Sequence, residues 1–108
     1  MSVQISPTEL ASRLRTDQPP HLLDVRELEE HQLVALPNSK HIPLGQLDEQ
    51  VEDIAGWKHE EVVVYCHHGV RSLHAIGRLR QLGFTQLRNL AGGIDLWSVE
   101  VDPACARY

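Results

Sequence analysis

The segment 61–72 constrains the fold most, because it changes from a strand pattern to a helix pattern at a cysteine. Four apolar residues, Val62 to Tyr65, form the short run that is typical of a fully buried strand. Cys66 follows directly, and a helical pattern begins at Ser72. A strand, a tight turn and a helix make up half of a βαβ unit. The segment therefore predicts a parallel sheet with helices packed on it.

The rest of the chain repeats this alternation of strand and helix patterns. Further strands are predicted at residues 21–25, 40–44 and 86–90, with a short edge strand at 3–5. Helices are predicted from residue 6, within 26–36, and over 46–55, 72–82 and 94–99. The face of the 72–82 helix that packs on the sheet is predicted to consist of Leu73, Ile76, Leu79 and Leu82. Together the patterns predict a three-layer α/β/α fold with a parallel sheet of about five strands.

Length and charge narrow the class of protein. With 108 residues, the chain is predicted to form a single domain over residues 1–108. A net charge of -5 disfavours nucleic acid as a partner, because phosphates bind basic surfaces. No apolar run approaches the roughly 18–20 residues of a membrane helix, and the first residues lack a signal-peptide pattern. We therefore expect a cytoplasmic protein without a membrane partner, in which Cys66 and Cys105 are free thiols.

Cys66 is the candidate nucleophile, because it is expected where a buried strand meets a helix N-terminus. Unpaired N–H groups and the helix dipole at such a place stabilise a thiolate or an anion carried on it. Gly69 permits a tight turn with inward N–H groups, and Arg71 adds a permanent positive charge. Residues predicted to bind substrate around the cysteine are His67, His68, Gly69, Val70, Arg71 and Ser72. The alternative is that Cys66 is only a small buried apolar residue.

Two charged residues lie at the end of the strand predicted at 21–25 and are expected at the same edge of the sheet as Cys66. Arg26 is predicted to contact substrate, and Asp24 is predicted to support the loop. The alternative for both is a structural ion pair that holds two loops together.

No metal or cofactor is predicted. Adjacent histidines such as His67 and His68 seldom bind the same ion, and no second cluster has the spacing of a metal site. Cys105 is predicted to be a tail thiol without a role. The alternative is that it accepts the group carried on Cys66 or forms a disulfide with Cys66.

Four ordered segments of the chain resemble the rhodanese family of sulfurtransferases. Residues 66–72, Cys-His-His-Gly-Val-Arg-Ser, resemble its active-site loop. The upstream matches are 22–27, Leu-Leu-Asp-Val-Arg-Glu, and 41–44, His-Ile-Pro-Leu; the C-terminal match is 89–97, Asn-Leu-Ala-Gly-Gly-Ile-Asp-Leu-Trp. Residues 37–44 depart from the family pattern, because they lack both glycines of its Gly-His-Ile-Pro-Gly-Ala segment. The tail 98–108 is similar to the ends of rhodanese domains fused to enzymes that activate ubiquitin-like sulfur carriers.

The resemblance implies a persulfide mechanism. The Cys66 thiolate would take the outer sulfur of thiosulfate or another persulfide donor, and cyanide or a thiol would then accept it. A sulfur-accepting protein is a further expected partner. The rival interpretation is a partner-dependent sulfur-carrier or regulatory module with little activity on free thiosulfate.

Loop length argues against a third interpretation, a phosphatase or arsenate reductase of the same fold. Those members have five residues between the cysteine and the arginine, whereas four residues separate Cys66 from Arg71. A smaller ring suits a single sulfur better than a tetrahedral phosphate.

Overall fold

The structure, a computed structural model, describes residues 3–108, which contain one five-stranded parallel sheet. The strands are β1 (Gln4–Ile5), β2 (His21–Asp24), β3 (Lys40–His41), β4 (Val62–Tyr65) and β5 (Leu87–Leu90). Their order across the sheet is β1-β5-β4-β2-β3, and every neighbouring pair is parallel. The predicted α/β class and parallel sheet are confirmed, and β4 is the central strand.

The helices are α1 (Pro7–Arg13), α2 (Leu28–Leu33), α3 (Leu47–Gln50), α4 (Val70–Gln81) and α5 (Gly93–Glu100). Two apolar clusters cover the two faces of the sheet. Val62 and Val64 of β4 belong to the cluster that contains residues of α3 and α4. Val63 and Tyr65 belong to the cluster that contains residues of α1 and α5. Alternate residues of a strand face opposite sides, so an entirely apolar β4 requires both layers.

The helix signals of the sequence act locally as expected. Ser6 caps α1, because its Oγ accepts the N–H of Glu9 at 3.1 Å, and Pro7 occupies the first helical position. Gly83 follows α4 with a φ of 99°, a left-handed conformation that suits glycine after a helix end. Among the helices of residues 3–108, none is sufficiently long and apolar to cross a membrane.

The continuous helix predicted at 46–55 is wrong. Only the four residues of α3 are α-helical, and 3₁₀ turns flank them at Leu44–Gln46 and Val51–Trp57. Ile54 has a non-helical backbone, with φ -119° and ψ 18°, and its side chain is buried in the core. A step of three residues, as from Val51 to Ile54, suits a 3₁₀ turn as well as an α-helix, so the apolar pattern does not separate the two there.

Helix α4 also differs from its prediction. It begins at Val70, two residues before the predicted start, because the left-handed Gly69 ends the preceding turn. Leu73 was predicted to face the core but is 40% exposed. The buried face of α4 consists instead of Ser72, Ala75, Ile76 and Leu79. As a result, α4 presents a polar side chain, Ser72, to the interior directly beside Cys66.

Candidate active site

The loop between β4 and α4 folds its backbone around the sulfur of Cys66. Cys66 is only 1% exposed, and its Sγ accepts the N–H of Gly69 at 3.1 Å and that of Ser72 at 3.4 Å. The φ of 104° at Gly69 turns the chain back toward the sulfur. The start of α4 therefore directs backbone donors at Sγ, and such donors stabilise a thiolate or an attached anionic sulfur.

Ser72 and Asn89 complete the surroundings of the sulfur. The Ser72 hydroxyl lies 3.3 Å from Cys66 Sγ and donates a short hydrogen bond to Asn89 Oδ1. Asn89 is buried in β5, and its Nδ2 donates to the Gly69 carbonyl at 3.3 Å. Since the single Ser72 hydrogen is directed at Asn89, a neutral Cys66 thiol can donate to Ser72, whereas ionisation favours a turn of that hydroxyl toward the sulfur.

Helix α5 fixes the loop from the other side. Its first N–H groups bind loop carbonyls: Ile94 donates to Cys66 O at 2.9 Å and Asp95 donates to His67 O at 3.1 Å. Gly93 has a φ of 65°, and a Cβ at this position would lie 2.2 Å from His67 O and 2.5 Å from Cys66 O. Only glycine allows this close approach, so Gly93 sets the position of the reactive cysteine.

Arg71 forms a bidentate ion pair with Glu30 of α2. The distances are 2.6 Å from Nη1 to Oε1 and 2.9 Å from Nη2 to Oε2. The hydrogen bond from Arg71 lowers the pKa of Glu30 to about 2, and the same bond raises the pKa of Arg71. Both groups are therefore charged at neutral pH, and the guanidinium edge that faces Glu30 is occupied.

Asp24 and Arg26 form a buried ion pair at the end of β2. Neither side chain is exposed, and the distances are 2.9 Å from Nε to Oδ1 and 2.7 Å from Nη2 to Oδ2. His31 Nδ1 lies 2.7 Å from Asp24 Oδ2. Burial acts to raise the pKa of Asp24, but the hydrogen bonds from Arg26 and His31 outweigh it, so this pKa lies below its ordinary value.

The placement of Arg26 does not support its predicted contact with substrate. Its guanidinium is fully buried, and its remaining donors bind Val34 O at 2.6 Å and Tyr108 Oη at 2.8 Å. The sequence alternative, an ion pair between Asp24 and Arg26 that joins neighbouring loops, agrees with this geometry. The sequence prediction for Arg26 missed this burial because Tyr108, which covers one of its donors, is far from Arg26 in the sequence.

The two histidines after Cys66 lie at the outer side of the loop. The ring of His67 stacks on Tyr108, with centroids 3.9 Å apart, and also contacts the exposed ring of His68 at 3.9 Å. Burial and the neighbouring His68 lower the pKa of His67. The expected positive charge on His67 is therefore small at neutral pH.

The tail of the chain, for which the sequence predicts no particular role, contacts the loop. Tyr108 Oη donates to Glu30 Oε2 at 2.8 Å and accepts from Arg26 Nη1 at 2.8 Å. Arg107 donates to Asp95 at the start of α5, with an Nε to Oδ1 distance of 3.1 Å. Two further residues that sequence reasoning missed, Glu30 and Asn89, contact the loop as well. Asn89 is a polar residue within the strand predicted at 86–90, whereas Glu30 lies in a polar segment, and neither pattern identifies a partner.

Replacing Tyr108 with phenylalanine tests the contribution of its hydroxyl. Loss of this group leaves a donor of the buried Arg26 without its partner, so the free energy of unfolding should fall by about 1 kcal/mol. Urea denaturation measures this change, with Tyr108→Leu as the control that also removes the stacking on His67. Equal stability of wild type and Tyr108→Phe would show that the hydrogen bonds of the Tyr108 hydroxyl with Arg26 and Glu30 contribute nothing to the free energy of unfolding.

Two exposed apolar side chains flank Arg71 at the first turn of α4. Val70 is 64% exposed, and Leu73, one turn further on the same side of the helix, is also exposed. A separate cavity of about 770 Å³ lies near the amino ends of β2 and β3, between Pro20, Ser39 and Trp57, and no loop residue lines it. This cavity is therefore separate from the loop around Cys66.

Within residues 3–108, no group of three or more histidine, cysteine, aspartate or glutamate side chains is arranged to hold a metal ion. Cys66 and Cys105 are both free thiols. Cys105 packs against the apolar cluster that includes Trp97, and burial raises the pKa of its thiol. A raised pKa reduces the thiolate fraction of Cys105 at neutral pH and thus its nucleophilicity.

Comparison with known protein families matches residues 6–100 to the rhodanese-like domain. Because this match covers most of the chain, the protein belongs to the rhodanese-like family. YtwF of Bacillus subtilis (strain 168), a provisionally named sulfurtransferase, is 33% identical over 100 residues, which cover 93% of this chain and 94% of YtwF. The structure of the human single-domain sulfurtransferase TSTD1 superposes with a TM-score of 0.80 at 29% identity, covering 93% of this chain and 98% of TSTD1.

Other relatives are longer than this chain. YrkF of Bacillus subtilis (strain 168), a provisionally named sulfur carrier protein, is 30% identical over 95 residues, which cover 88% of this chain and 50% of YrkF. For YrkF and four further curated relatives, the match covers between 20% and 50% of the relative's own length. These relatives are named as sulfurtransferases or as a sulfur carrier, and the rhodanese-like family is the one that the sequence resemblance implied.

Proposed function

We propose that this protein transfers sulfane sulfur through a persulfide on Cys66, acting as one rhodanese-like domain. The observation that carries the proposal is the cradle of N–H groups from Gly69 and Ser72 around Cys66 Sγ. Such donors favour an anionic sulfur over a neutral thiol, both before and after the transfer. Two free cysteines agree with a reducing compartment such as the cytoplasm.

In the first half-reaction, the Cys66 thiolate attacks the outer sulfur of thiosulfate or of another persulfide donor. A new S–S bond forms on Cys66 while the S–S bond of the donor breaks, and sulfite or a thiolate leaves with the bonding electrons. In the second half-reaction, a thiol or cyanide attacks the outer sulfur, and the Cys66 thiolate is regenerated. No cofactor enters either step, because the donor itself supplies sulfur at the required oxidation level.

The other loop residues have roles in binding and support. Gly69 and Ser72 hold the sulfur, and the proposed mouth for donor and acceptor lies beside His67, His68, Val70 and Arg71. We assign Asp24 and Arg26 to the support of the loop, because both are buried and paired with each other. The four-residue spacing from Cys66 to Arg71 favours sulfur transfer over the phosphatase or arsenate reductase alternative.

A partner-dependent sulfur carrier is the second candidate. The relative YrkF, provisionally named a sulfur carrier protein, favours it, as does the nearly complete burial of Cys66. A steady-state assay with thiosulfate and either cyanide or a small thiol separates the two. A sulfurtransferase that acts on free substrates should turn over at ordinary substrate concentrations. Very weak turnover, together with full loading of Cys66, would instead support the carrier.

A further inference from the structure

Charge around the loop is balanced in the part of the chain that the structure describes. Each arginine in contact with the loop or its supports is bonded to a carboxylate. The pairs are Arg71 with Glu30, Arg26 with Asp24, and Arg107 with Asp95. With a lowered pKa, His67 adds little positive charge. A dianionic donor such as thiosulfate therefore meets no excess of positive side chains here, although the backbone N–H groups remain.

Glu30 is the carboxylate that pairs with Arg71, the arginine of the loop. It takes both terminal nitrogens of Arg71, and Tyr108 Oη also donates to its Oε2. With a pKa of about 2, Glu30 stays ionised throughout the physiological range. Its charge therefore opposes the approach of anions, and its two hydrogen bonds occupy both terminal nitrogens of Arg71.

Apolar and aromatic side chains also contribute to this border. Val70 and Leu73 are exposed on the first turn of α4, and the ring of Tyr108 covers one side of His67. These groups can contact the carbon portion of an organic donor but give nothing to the sulfonate oxygens of thiosulfate. Apolar contacts and balanced charge thus both favour an organic donor over thiosulfate.

We propose that Glu30 is a specificity-determining residue, which engages Arg71 and directs the site toward organic persulfides and away from thiosulfate. This inference rests on the proposed function of Cys66. In the favoured reaction, the Cys66 thiolate attacks the outer sulfur of R–S–SH, the S–S bond of the donor breaks, and R–S⁻ leaves. Cys66 becomes Cys–S–SH, so one sulfur is transferred and no further oxidant or reductant is needed.

Replacing Glu30 with glutamine removes one negative charge at nearly constant size. Thiosulfate is a dianion, whereas the ionised persulfide of 2-mercaptoethanol is a monoanion. Because the interaction energy is proportional to charge, the factor by which kcat/KM rises for the dianion should be about the square of the factor for the monoanion. We expect kcat/KM to rise about tenfold for thiosulfate and about threefold for the persulfide of 2-mercaptoethanol. Most of the thiosulfate gain should appear as a lower KM, since Glu30 opposes binding rather than bond cleavage.

The matched control is Asp48→Asn. Asp48 also pairs with an arginine of α4, Arg78, and its removal changes the net charge equally, but this pair lies in the last turns of the helix, away from the loop. The kcat/KM of Asp48→Asn should match that of wild type for both thiosulfate and the persulfide of 2-mercaptoethanol. Equal gains in both variants, or no larger gain for thiosulfate in Glu30→Gln, would overturn the inference.

A measurement on the wild type keeps the proposal testable if Glu30→Gln does not fold. A charge-balanced mouth predicts that kcat/KM for thiosulfate changes less than about twofold between about 20 mM and about 200 mM salt. A steep fall with salt would contradict the inference, because it would reveal an attractive positive site. If wild-type Cys66 takes sulfur from neither donor, the proposed function itself fails; if it takes sulfur but Glu30→Gln shows no discrimination, only the role of Glu30 fails.

Discussion

Replacing Cys66 with alanine should abolish sulfur transfer from thiosulfate and from organic persulfides. No other group in the loop can form the covalent intermediate, because the N–H donors of Gly69 and Ser72 converge on Cys66 Sγ alone. Removal of the Cys66 sulfur leaves a small cavity and leaves the N–H groups of Gly69 and Ser72 without their acceptor. The free energy of unfolding should therefore fall by about 1–2 kcal/mol. Steady-state sulfur transfer and urea denaturation measure the two effects separately.

Cys105→Ser is the control for this variant. Cys105 lies in the tail and packs against the apolar cluster that includes Trp97, and the pKa of its thiol is raised. Loss of this thiol should therefore leave the transfer rate nearly unchanged. Activity retained by Cys66→Ala would contradict the proposed mechanism. A large loss in Cys105→Ser would instead assign the relay role to the tail cysteine.

Replacing Gly93 with alanine should impair both activity and stability, although this residue does not contact substrate. The added Cβ would lie 2.2 Å from His67 O, so either the loop or the start of α5 must move. With the strain of a positive φ, we expect the free energy of unfolding to fall by at least about 2 kcal/mol. A shift of Cys66 by about 1 Å should reduce kcat/KM by about 100-fold.

Gly77→Ala is the matched control for Gly93→Ala. Gly77 lies in the exposed middle of α4, and nothing is within 4 Å of a Cβ placed there. This variant should gain about 0.5–1 kcal/mol of stability, because alanine is the better helix former. Wild-type activity in Gly93→Ala would show that the contact between α5 and the loop does not position Cys66.

The sheet could be predicted because each strand carries its own local signal. The run Val62 to Tyr65 is apolar at every position, which requires cover on both faces and thus the central place in the sheet. The position of Cys66 at the end of β4 follows from the same run. Gly69 and the start of a helix shortly after it then place N–H groups around the sulfur.

The contacts that surround the loop could not be predicted, because they join residues distant in sequence. Glu30 reaches Arg71 from α2, Asn89 reaches Ser72 from β5, and Tyr108 reaches Glu30 from the tail. A sequence pattern shows that each residue is polar but not which partner it meets. The predicted exposure of Arg26 to substrate depended on the same missing information.

The helix predicted at 46–55 shows a different limit. The step of three residues from Val51 to Ile54 fits α and 3₁₀ turns alike, so apolar periodicity alone does not separate them in that part of the segment. Burial of Leu47 and Ile54 in one core cluster determines the observed combination of short turns. This segment contacts α4 but not the sulfur, so the difference leaves the site unchanged.

The mass of the intact protein after treatment with a sulfur donor tests the central claim most directly. Wild type should gain one sulfur atom after the excess donor is removed, lose it on treatment with a reductant, and retain the gain in Cys105→Ser. Cys66→Ala should show no gain under the same conditions. A wild-type protein that gains no sulfur from thiosulfate or an organic persulfide, or a Cys66→Ala variant that gains one, would contradict the account.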